Sequence, residues 1–319
     1  MSWLITGGAG YIGAHVVKSF EDMGISTVVL DSLVSGKIER LGKSTKVKIG
    51  DIRDESDLNS VFQENEIEGI VHLAALKSVS ESILNPKLYH EVNFEGTRNL
   101  VKVAKKYNCK KLIFSSTAAI YDAQENDYVD EASKVKPISP YGLSKLSAES
   151  VVLDSIEKDE LIGTCLRFFN VAGTISANFK DDKADNLIPR VLERIELGLP
   201  PEIYGGDYPT PDGTCVRDYV HVLDVVRALE LIVATNRTVP EVLNIGTGIG
   251  YSVKYVVETM QRMLGSTLAP VMLPARIGDP AKLVANSGLF LDTLGFSCRY
   301  GIEEILSSEI ATHKTEFID

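Results

Sequence analysis

The segment ISPYGLSKLSAES, residues 138–150, places Tyr141 four residues before Lys145 in a helical pattern. Side chains four residues apart lie on one face of a helix, so the phenol and the amine can point into the same space. A tyrosine titrates at about pH 10 and a lysine slightly higher, so neither is reactive alone at neutral pH. An ammonium beside the phenol favours the phenolate, and the predicted chemistry is acid–base catalysis by a tyrosine with a lowered pKa. Because Tyr-x-x-x-Lys also occurs on ordinary amphipathic helices, its context has to decide.

Hydroxyl side chains precede this helix in the sequence. The apolar run KLIFSS is followed by Thr117, so that Ser115, Ser116 and Thr117 stand together at its end. If the run is a strand of a parallel sheet, these hydroxyls lie at the edge where such sheets bind ligands. The pattern therefore predicts a hydroxyl close to Tyr141.

A glycine-rich segment near the start predicts a nucleotide site. In LITGGAGYIGAHVV, Gly7, Gly10 and Gly13 stand between an apolar run and a helical pattern, where glycines allow a tight turn and close approach of a pyrophosphate to the helix N-terminus. Asp31 ends the next apolar run, and its carboxylate can accept both ribose hydroxyls and would repel a 2′-phosphate. The order of these features favours NAD over NADP, with a solvated turn aspartate as the alternative interpretation of Asp31. Asp51, after the third run, can meet the adenine amino group or simply cap a helix.

The hydrophobic pattern predicts an α/β fold. Short apolar runs at 3–6, 26–31, 47–51, 69–75, 111–116 and 164–169 alternate with helical patterns. Such repetition is typical of a Rossmann-type, doubly wound parallel sheet, whose strands are covered on both faces. We expect a dinucleotide-binding domain over residues 1–172, with a segment near 218–247 returning to it. Residues 173–319 are predicted to form most of a smaller, mixed α/β substrate-binding domain.

Composition restricts the classes of partner and compartment. The net charge of −11 argues against nucleic acid and anionic membranes as partners. The four cysteines form no C-x-x-C pair, the N-terminus is not typical of a signal peptide, and no apolar run is long enough to span a membrane. The histidines have no metal-ligand spacing, and His72 in an apolar run is expected to be a core residue. We therefore expect a cytoplasmic protein without a bound metal.

Taken together, the glycine loop, the strand-end hydroxyls and Tyr-x-x-x-Lys resemble the extended short-chain dehydrogenase/reductase family. In that family a hydroxyl residue, the tyrosine and the lysine form the catalytic set, which the resemblance assigns here to Thr117, Tyr141 and Lys145. The adjacent Ser116 remains an alternative to Thr117, because a serine often fills this position in the family.

Within this family the whole sequence resembles the UDP-glucose 4-epimerases. The segments HLAALKSVSES, EVNFEGTRNL and LRFFNVAGT match family segments, and YGGDYPTPDGTCVRDYVHVLDV, residues 204–225, is the most specific match. The resemblance and the glycine loop together imply a set of NAD-binding positions: Gly7, Gly10, Tyr11, Ile12, Gly13, Asp31, Ser32, Ser35, Gly36, Asp51, Ile52, Leu73, Ala74, Ala75, Lys77, Asn93, Ser115, Tyr141, Lys145 and Phe169. They also imply a set of positions for a UDP-sugar: Lys77, Thr117, Tyr141, Asn170, Asn186, Leu187, Glu202, Ile203, Tyr204, Arg217, Tyr219, Arg276, Asp279 and Leu283.

The resemblance implies reversible 4-epimerisation of a UDP-hexose with tightly bound NAD, and a homodimer formed through helices near 86–106 and 141–159. The sugar range stays open, because Leu283 stands where the family varies a side chain that gates the sugar pocket. UDP-GlcNAc or UDP-glucuronate 4-epimerases and decarboxylases are enzymatic alternatives, and a non-catalytic NAD-binding sensor is an alternative of a different class. A 4,6-dehydratase is disfavoured, because Ala118 and Ala119 follow Thr117 where such an enzyme carries an acid pair.

Overall fold

The computed structural model describes residues 1–122, 128–181, 186–276 and 279–314. The chain divides into two compact units. The first comprises Met1–Ile120, Val135–Phe168 and Val226–Leu243, and the second comprises Tyr121–Lys134, Phe169–Val225 and Asn244–Asp319. The assignment of NAD to one domain and of the substrate to the other stays a prediction.

The strands, numbered along the chain, are β1 (Ser2–Thr6), β2 (Thr27–Asp31), β3 (Lys46–Ile49), β4 (Ile67–His72), β5 (Lys111–Thr117), β6 (Ile162–Phe168), β7 (Asn170–Ala172), β8 (Glu202–Tyr204), β9 (Val216–His221), β10 (Val242–Ile245), β11 (Gly250–Ser252), β12 (Val271–Leu273) and β13 (Lys282–Leu283).

The α-helices are α1 (Tyr11–Asp22), α2 (Glu55–Glu64), α3 (Val79–Leu84), α4 (Pro86–Tyr89), α5 (Gly96–Lys106), α6 (Pro140–Glu157), α7 (Leu187–Glu196), α8 (Val222–Ala234), α9 (Val253–Leu264), α10 (Gly288–Leu294) and α11 (Ile302–Lys314). A π-helical turn over His90–Glu95 joins α4 to α5, so the predicted helical segment 86–106 is continuous but not uniformly α-helical.

A seven-stranded sheet forms the centre of the first unit. Its strand order is β10-β6-β5-β4-β1-β2-β3, and the pairs from β3 through β6 are parallel. Every residue of β1 and β2 is buried, because helices cover both faces of the sheet. The connections reverse direction beside β1, at the point where doubly wound sheets bind nucleotides. The prediction of a Rossmann-type parallel sheet is therefore confirmed.

His72, the last residue of β4, lies in the core of this unit. Its Nδ1 is 2.6 Å from Thr6 Oγ1, and its Nε2 is 2.9 Å from Thr97 Oγ1. Burial lowers the pKa of His72 to about 3, so the ring is neutral at physiological pH. The strand ends here, three residues earlier than the apolar run suggested, and Leu73, Ala74 and Ala75 follow it as non-strand residues.

The second unit is built around β9. This strand pairs with β7 and β13 in parallel and with β11 in the antiparallel direction, while β8 and β12 form a separate two-stranded sheet. Asp218 in β9 is fully buried and accepts hydrogen bonds from Thr247, from the Gly248 N–H and from the Ala285 N–H. These bonds fix the strand that carries two predicted substrate residues on either side of Asp218.

Across the residues that the structure describes, no helix combines the length and the apolar character needed to cross a membrane.

Candidate active site

The start of α6 is placed by a cap and by a close contact. Ser139 caps the helix by accepting a hydrogen bond from the Gly142 N–H at 3.0 Å, and Pro140 occupies the first turn. A Cβ on Gly142 would lie 2.5 Å from the Ala119 carbonyl oxygen, a distance that real side chains do not adopt. Glycine at this position therefore lets α6 pack directly against the turn that follows β5 and Thr117.

This packing brings Thr117 and Tyr141 together. The Thr117 hydroxyl interacts with the phenol of Tyr141 and favours its phenolate, and Thr117 is largely buried. The neighbouring Ser116 points elsewhere, because its hydroxyl donates to the carboxylate of Glu149. Of the two hydroxyls considered from the sequence, the geometry favours Thr117 as the one that acts with Tyr141.

A second tyrosine supports the ring of Tyr141. The Tyr89 ring meets it edge-on, with 6.3 Å between centroids and an interplanar angle of 86°. Tyr89 is fully buried; its hydroxyl donates to Glu81 at 2.9 Å and accepts from the Ser78 N–H at 3.0 Å. Tyr89 was not singled out from the sequence, where it appears as one more residue of a helical pattern.

Burial dominates the titration of the Tyr141–Lys145 pair. Lys145 is 3% exposed, and its Nζ lies 4.3 Å from the centroid of the Phe114 ring. Desolvation lowers the pKa of Lys145 to about 7, against the opposing influence of Glu149 and Cys165. Desolvation also raises the pKa of Tyr141, while the hydrogen bond from Thr117 acts in the opposite direction. The lowered tyrosine pKa expected from the spacing is thus reversed in direction here, because removing water penalises the phenolate.

The glycine loop has the geometry that a pyrophosphate requires. Gly7 has a left-handed backbone with φ of 71°, and a Cβ on Gly13 would lie 2.1 Å from the Gly7 carbonyl oxygen. No side chain caps the start of α1 at Gly10. The N-terminus of a helix presents N–H groups and a favourable dipole to an anion, and the predicted positions Tyr11 and Ile12 lie in this first turn.

Asp31 is placed to hold a ribose. It ends β2, and its carboxylate accepts hydrogen bonds from the Ala9 N–H at 2.9 Å and the Leu33 N–H at 2.8 Å. Each carboxylate oxygen can accept more than one hydrogen bond, so capacity remains for ribose hydroxyls. Ser32 and Ser35 are exposed beside it, and a Cβ on Gly36 would lie 2.6 Å from the carboxylate. The loop and Asp31 together fit the adenosine half of NAD.

Asp51 and Asn93 are engaged by protein groups. The guanidinium of Arg53 donates three hydrogen bonds to the Asp51 carboxylate, at 3.0, 3.1 and 2.6 Å, and this lowers the pKa of the carboxyl. The Asn93 amide bonds to both backbone groups of Leu76 and to Ser144. Asn93 therefore braces the segment that carries Lys77, and its predicted contact with the cofactor stays a prediction.

Three further predicted cofactor positions also lie in the first unit: Ile52, Lys77 and Ser115. The Lys77 ammonium lies 5.7 Å from the centroid of the Tyr11 ring. Ser115 donates its hydroxyl to the His72 carbonyl at 2.9 Å, and Ile52 is buried in the core. Phe169 belongs to the second unit, where it is buried and its N–H donates to the Ile245 carbonyl.

In the second unit, β9 organises part of the predicted substrate set. Arg217 lies 3.6 Å from Asp279, measured from Nη2 to Oδ1, and pairs in register with Leu283 of β13. Tyr219, also on β9, is a buried core residue and pairs in register with the exposed Asn170 of β7. The structure thus brings these predicted residues to neighbouring strands.

A second group in this unit surrounds an aromatic ring. The Arg276 guanidinium lies 4.0 Å from the centroid of the Tyr204 ring, a cation–π contact. The Tyr204 hydroxyl bonds to Arg190 at 2.8 Å and to Glu202 at 3.2 Å, and Arg190 also binds Glu202 at 2.6 Å. Arg190 was missed from the sequence, where it is one of several charges on a helix. Ile203 is buried, so its side chain belongs to the core.

Asn186 and Leu187 mark the start of α7. Asn186 stands at the N-cap position but donates its side-chain amide to Asp181 at 2.8 Å instead of capping the helix. Leu187 is the first helical residue and packs against the core of the unit. Within the described ranges, no group of three or more His, Cys, Asp or Glu side chains is arranged to hold a metal ion.

Lys145→Met should have a higher melting temperature than the wild type at about pH 7, and the increase should be smaller at about pH 9. The lysine pKa falls from 10.5 to about 7 on folding, so between these values the unfolded chain binds more protons and wild-type stability increases with pH. Methionine removes that dependence. Calorimetry at both pH values measures the difference, and Lys110→Met, at an exposed lysine, should leave the melting temperature close to wild type at both. A Lys145→Met difference that is constant or grows with pH would contradict the assignment.

Known proteins similar to this chain share its fold along nearly its whole length. Residues 3–246 match the model of the NAD dependent epimerase/dehydratase family. A UDP-glucose 4-epimerase from Lacticaseibacillus casei is 36% identical, and the alignment covers 98% of this chain and 97% of the relative.

Two solved structures extend the comparison. A UDP-glucose 4-epimerase from Bifidobacterium longum, in complex with NAD⁺ and UDP, superposes with a TM-score of 0.92 at 32% identity, over 99% of this chain and 98% of that one. A UDP-Glc/GlcNAc 4-epimerase from Campylobacter jejuni gives a TM-score of 0.83 at 34% identity, over 98% and 99% of the two chains. The chain therefore belongs to the NAD dependent epimerase/dehydratase family.

Proposed function

We propose that this protein is an NAD-dependent enzyme that inverts C4 of a UDP-hexose reversibly and interconverts UDP-glucose and UDP-galactose. The observation that carries the proposal is the packing of the start of α6 against the end of β5, which places Tyr141 where the Thr117 hydroxyl interacts with it, on the helix that also holds the buried Lys145. The glycine loop and Asp31 of the same unit fit NAD, and relatives covering almost the whole chain are UDP-glucose 4-epimerases.

Tyr141 would handle the proton of the sugar 4-hydroxyl. Its phenolate oxygen accepts that proton, and the Thr117 hydroxyl orients both oxygens by hydrogen bonding. Bound NAD⁺ would supply a reversible two-electron acceptor for the hydride of C4, and its positive ring would favour the phenolate. Lys145 as an ammonium supports the same phenolate. After the sugar is reduced again, Tyr141 returns the proton to the 4-oxygen.

Residues of the second unit would bind the UDP portion. Arg217 and Arg276 can offer paired N–H donors to the two phosphates. Because the chain carries a net charge of −11, it needs local positive charge to attract a diphosphate. Tyr204, beside Arg276, offers an aromatic face to the uracil ring, and Asp279 an acceptor to the ribose. These residues hold the nucleotide while the sugar presents either face of C4.

Purified protein supplied with NAD should convert UDP-galactose to UDP-glucose, with product identified by chromatography. Tyr141→Phe should lower kcat by on the order of 10² to 10⁴ and leave KM within a few-fold, because the nucleotide contacts remain. Tyr128→Phe, at an exposed tyrosine, is the matched control and should retain activity. A wild-type protein that forms no 4-epimer, or a Tyr141→Phe variant with near-normal turnover, would overturn the proposal. An inactive wild type that still binds NAD would favour the sensor alternative.

N-acetylated substrates form a second candidate class. Leu283 is largely buried, and its register partner is Arg217; the leucine is intermediate in size among side chains expected to gate the sugar pocket. The Campylobacter jejuni neighbour is named for both UDP-Glc and GlcNAc forms. Running the same assay with UDP-GalNAc and UDP-galacturonate decides between a narrow and a broad sugar range.

We further infer that two copies of the chain associate through segments 86–106 and 141–159. Leu143 in α6 is 57% exposed and lines a shallow pocket with Pro86 and Ile138, so burial against a second copy would remove apolar surface from water. Light scattering should give twice the chain mass for wild type and for Leu197→Glu, at an exposed leucine of the second unit. Leu143→Glu should give a monomer, and a monomeric wild type would contradict the inference.

The cytoplasmic location is a proposal as well. It is supported by Cys109, Cys165 and Cys215, which are buried thiols and form no disulfide, as is typical of proteins in a reducing compartment.

A further inference from the structure

A buried carboxylate lies one helical turn beyond Lys145. Glu149 is 1% exposed, and it follows Lys145 by the same four-residue spacing that separates Lys145 from Tyr141. Its carboxylate accepts hydrogen bonds from the Ser116 hydroxyl and from Arg167, whose Nη2 lies 2.6 Å from Oε1 and whose Nε lies 3.2 Å from the same oxygen. The side chains of both Arg167 and Glu149 are almost fully buried.

The two donors to Glu149 are neighbours across the sheet. Ser116 of β5 and Arg167 of β6 are register partners, and the next pair along the two strands is Thr117 with Phe168. The Glu149 carboxylate of α6 therefore binds both strands at the residue pair just before Thr117, whose hydroxyl interacts with Tyr141. This contact fixes the position of the Thr117 hydroxyl on β5 relative to the Tyr141 phenol on α6.

The surroundings of Lys145 give Glu149 a second effect. The titratable groups that interact with Lys145 are Glu149 on its own helix, Cys165 on β6 and His72 on β4, and its Nζ lies over the ring of Phe114. Burial keeps the Cys165 thiol protonated and His72 neutral. Glu149 is the carboxylate among these groups, and its charge favours the protonated lysine.

A buried ion pair seldom stabilises a fold more than well-packed apolar side chains of the same size would. Glu149 contacts Ser116 on one side and influences Lys145 on the other. This placement gives a reason for a buried carboxylate here that stability alone does not give. We propose that Glu149 is a positioning residue for the epimerase reaction, which holds Lys145 as an ammonium and holds Thr117 in place against Tyr141. This inference rests on the proposed function for its kinetic consequence but not for its structural one.

The kinetic test compares two variants of the same contact. Glu149→Gln keeps the shape of the side chain and removes the negative charge that favours the protonated form of Lys145. The pH at which kcat falls on the alkaline side should therefore decrease by about one unit or more, with KM for UDP-galactose nearly unchanged. Ser116→Ala removes one hydrogen bond and keeps the charge. It should lower kcat by less than about ten-fold at every pH and leave the alkaline limb where it is in the wild type.

A second measurement needs no catalytic activity. The titration of Lys145 is followed by NMR of ¹³Cε-labelled lysine, with its signal assigned by its loss in Lys145→Met. Glu149→Gln should lower the midpoint by about one unit or more, and Ser116→Ala should not move it. If the wild type proves inactive, the proposed function fails while this titration still decides the role of Glu149.

Folding is checked by circular dichroism and thermal melting. Glu149→Gln removes the carboxylate that Arg167 binds, so the double variant Glu149→Gln with Arg167→Gln carries the same test if the single variant does not fold. A folded variant with an unmoved alkaline limb and an unmoved lysine midpoint would overturn the proposal. Failure of both variants to fold would also overturn it, because the pair would then serve stability rather than the site.

Discussion

The interaction between Thr117 and Tyr141 depends on two backbones meeting at close range. Thr117 ends a strand and Tyr141 begins a helix, so nothing in the local chain fixes their separation. Gly142 permits the contact, because any larger residue would collide with the carbonyl of Ala119. The cap at Ser139 and the carboxylate of Glu149 then hold the helix at its start and two turns later. The predicted chemistry follows from this packing.

Desolvation is the opposing constraint on the site. Burial raises the pKa of Tyr141 and lowers that of Lys145, so the protein environment favours the neutral form of each group. The proposed reaction needs a phenolate and an ammonium together. Thr117 and Glu149 act against desolvation on the two groups, and NAD⁺ supplies further positive charge when it binds.

Some of this could be predicted from the sequence, because it depends on neighbouring residues. The glycine loop, Asp31 after the second strand and the spacing of Tyr141 and Lys145 are local patterns. The alternation of apolar runs and helical patterns predicted a parallel sheet, which is present. The order of the strands in the sheet was not predicted. The sequence left Ser116 as an alternative to Thr117, and the contacts favour Thr117 because the Ser116 hydroxyl is engaged by Glu149.

What the sequence could not reveal depends on register and burial. Glu149 meets Ser116 and Arg167 only because β5 and β6 pair in one particular register. Tyr89, Arg190 and the bracing role of Asn93 likewise arise from contacts between distant segments. The direction of the Tyr141 pKa was predicted wrongly, because four-residue spacing indicates a nearby lysine but not how much water the fold removes.

The central claim is that hydrogen leaves C4 of the sugar and returns to the same carbon without passing through water. UDP-galactose carrying deuterium at C4 tests this directly, by mass spectrometry and NMR of the epimer formed in ordinary water. The account predicts UDP-glucose that retains the deuterium at C4, because hydrogen carried by NAD does not exchange with solvent. Loss of the label to water during epimerisation would contradict it.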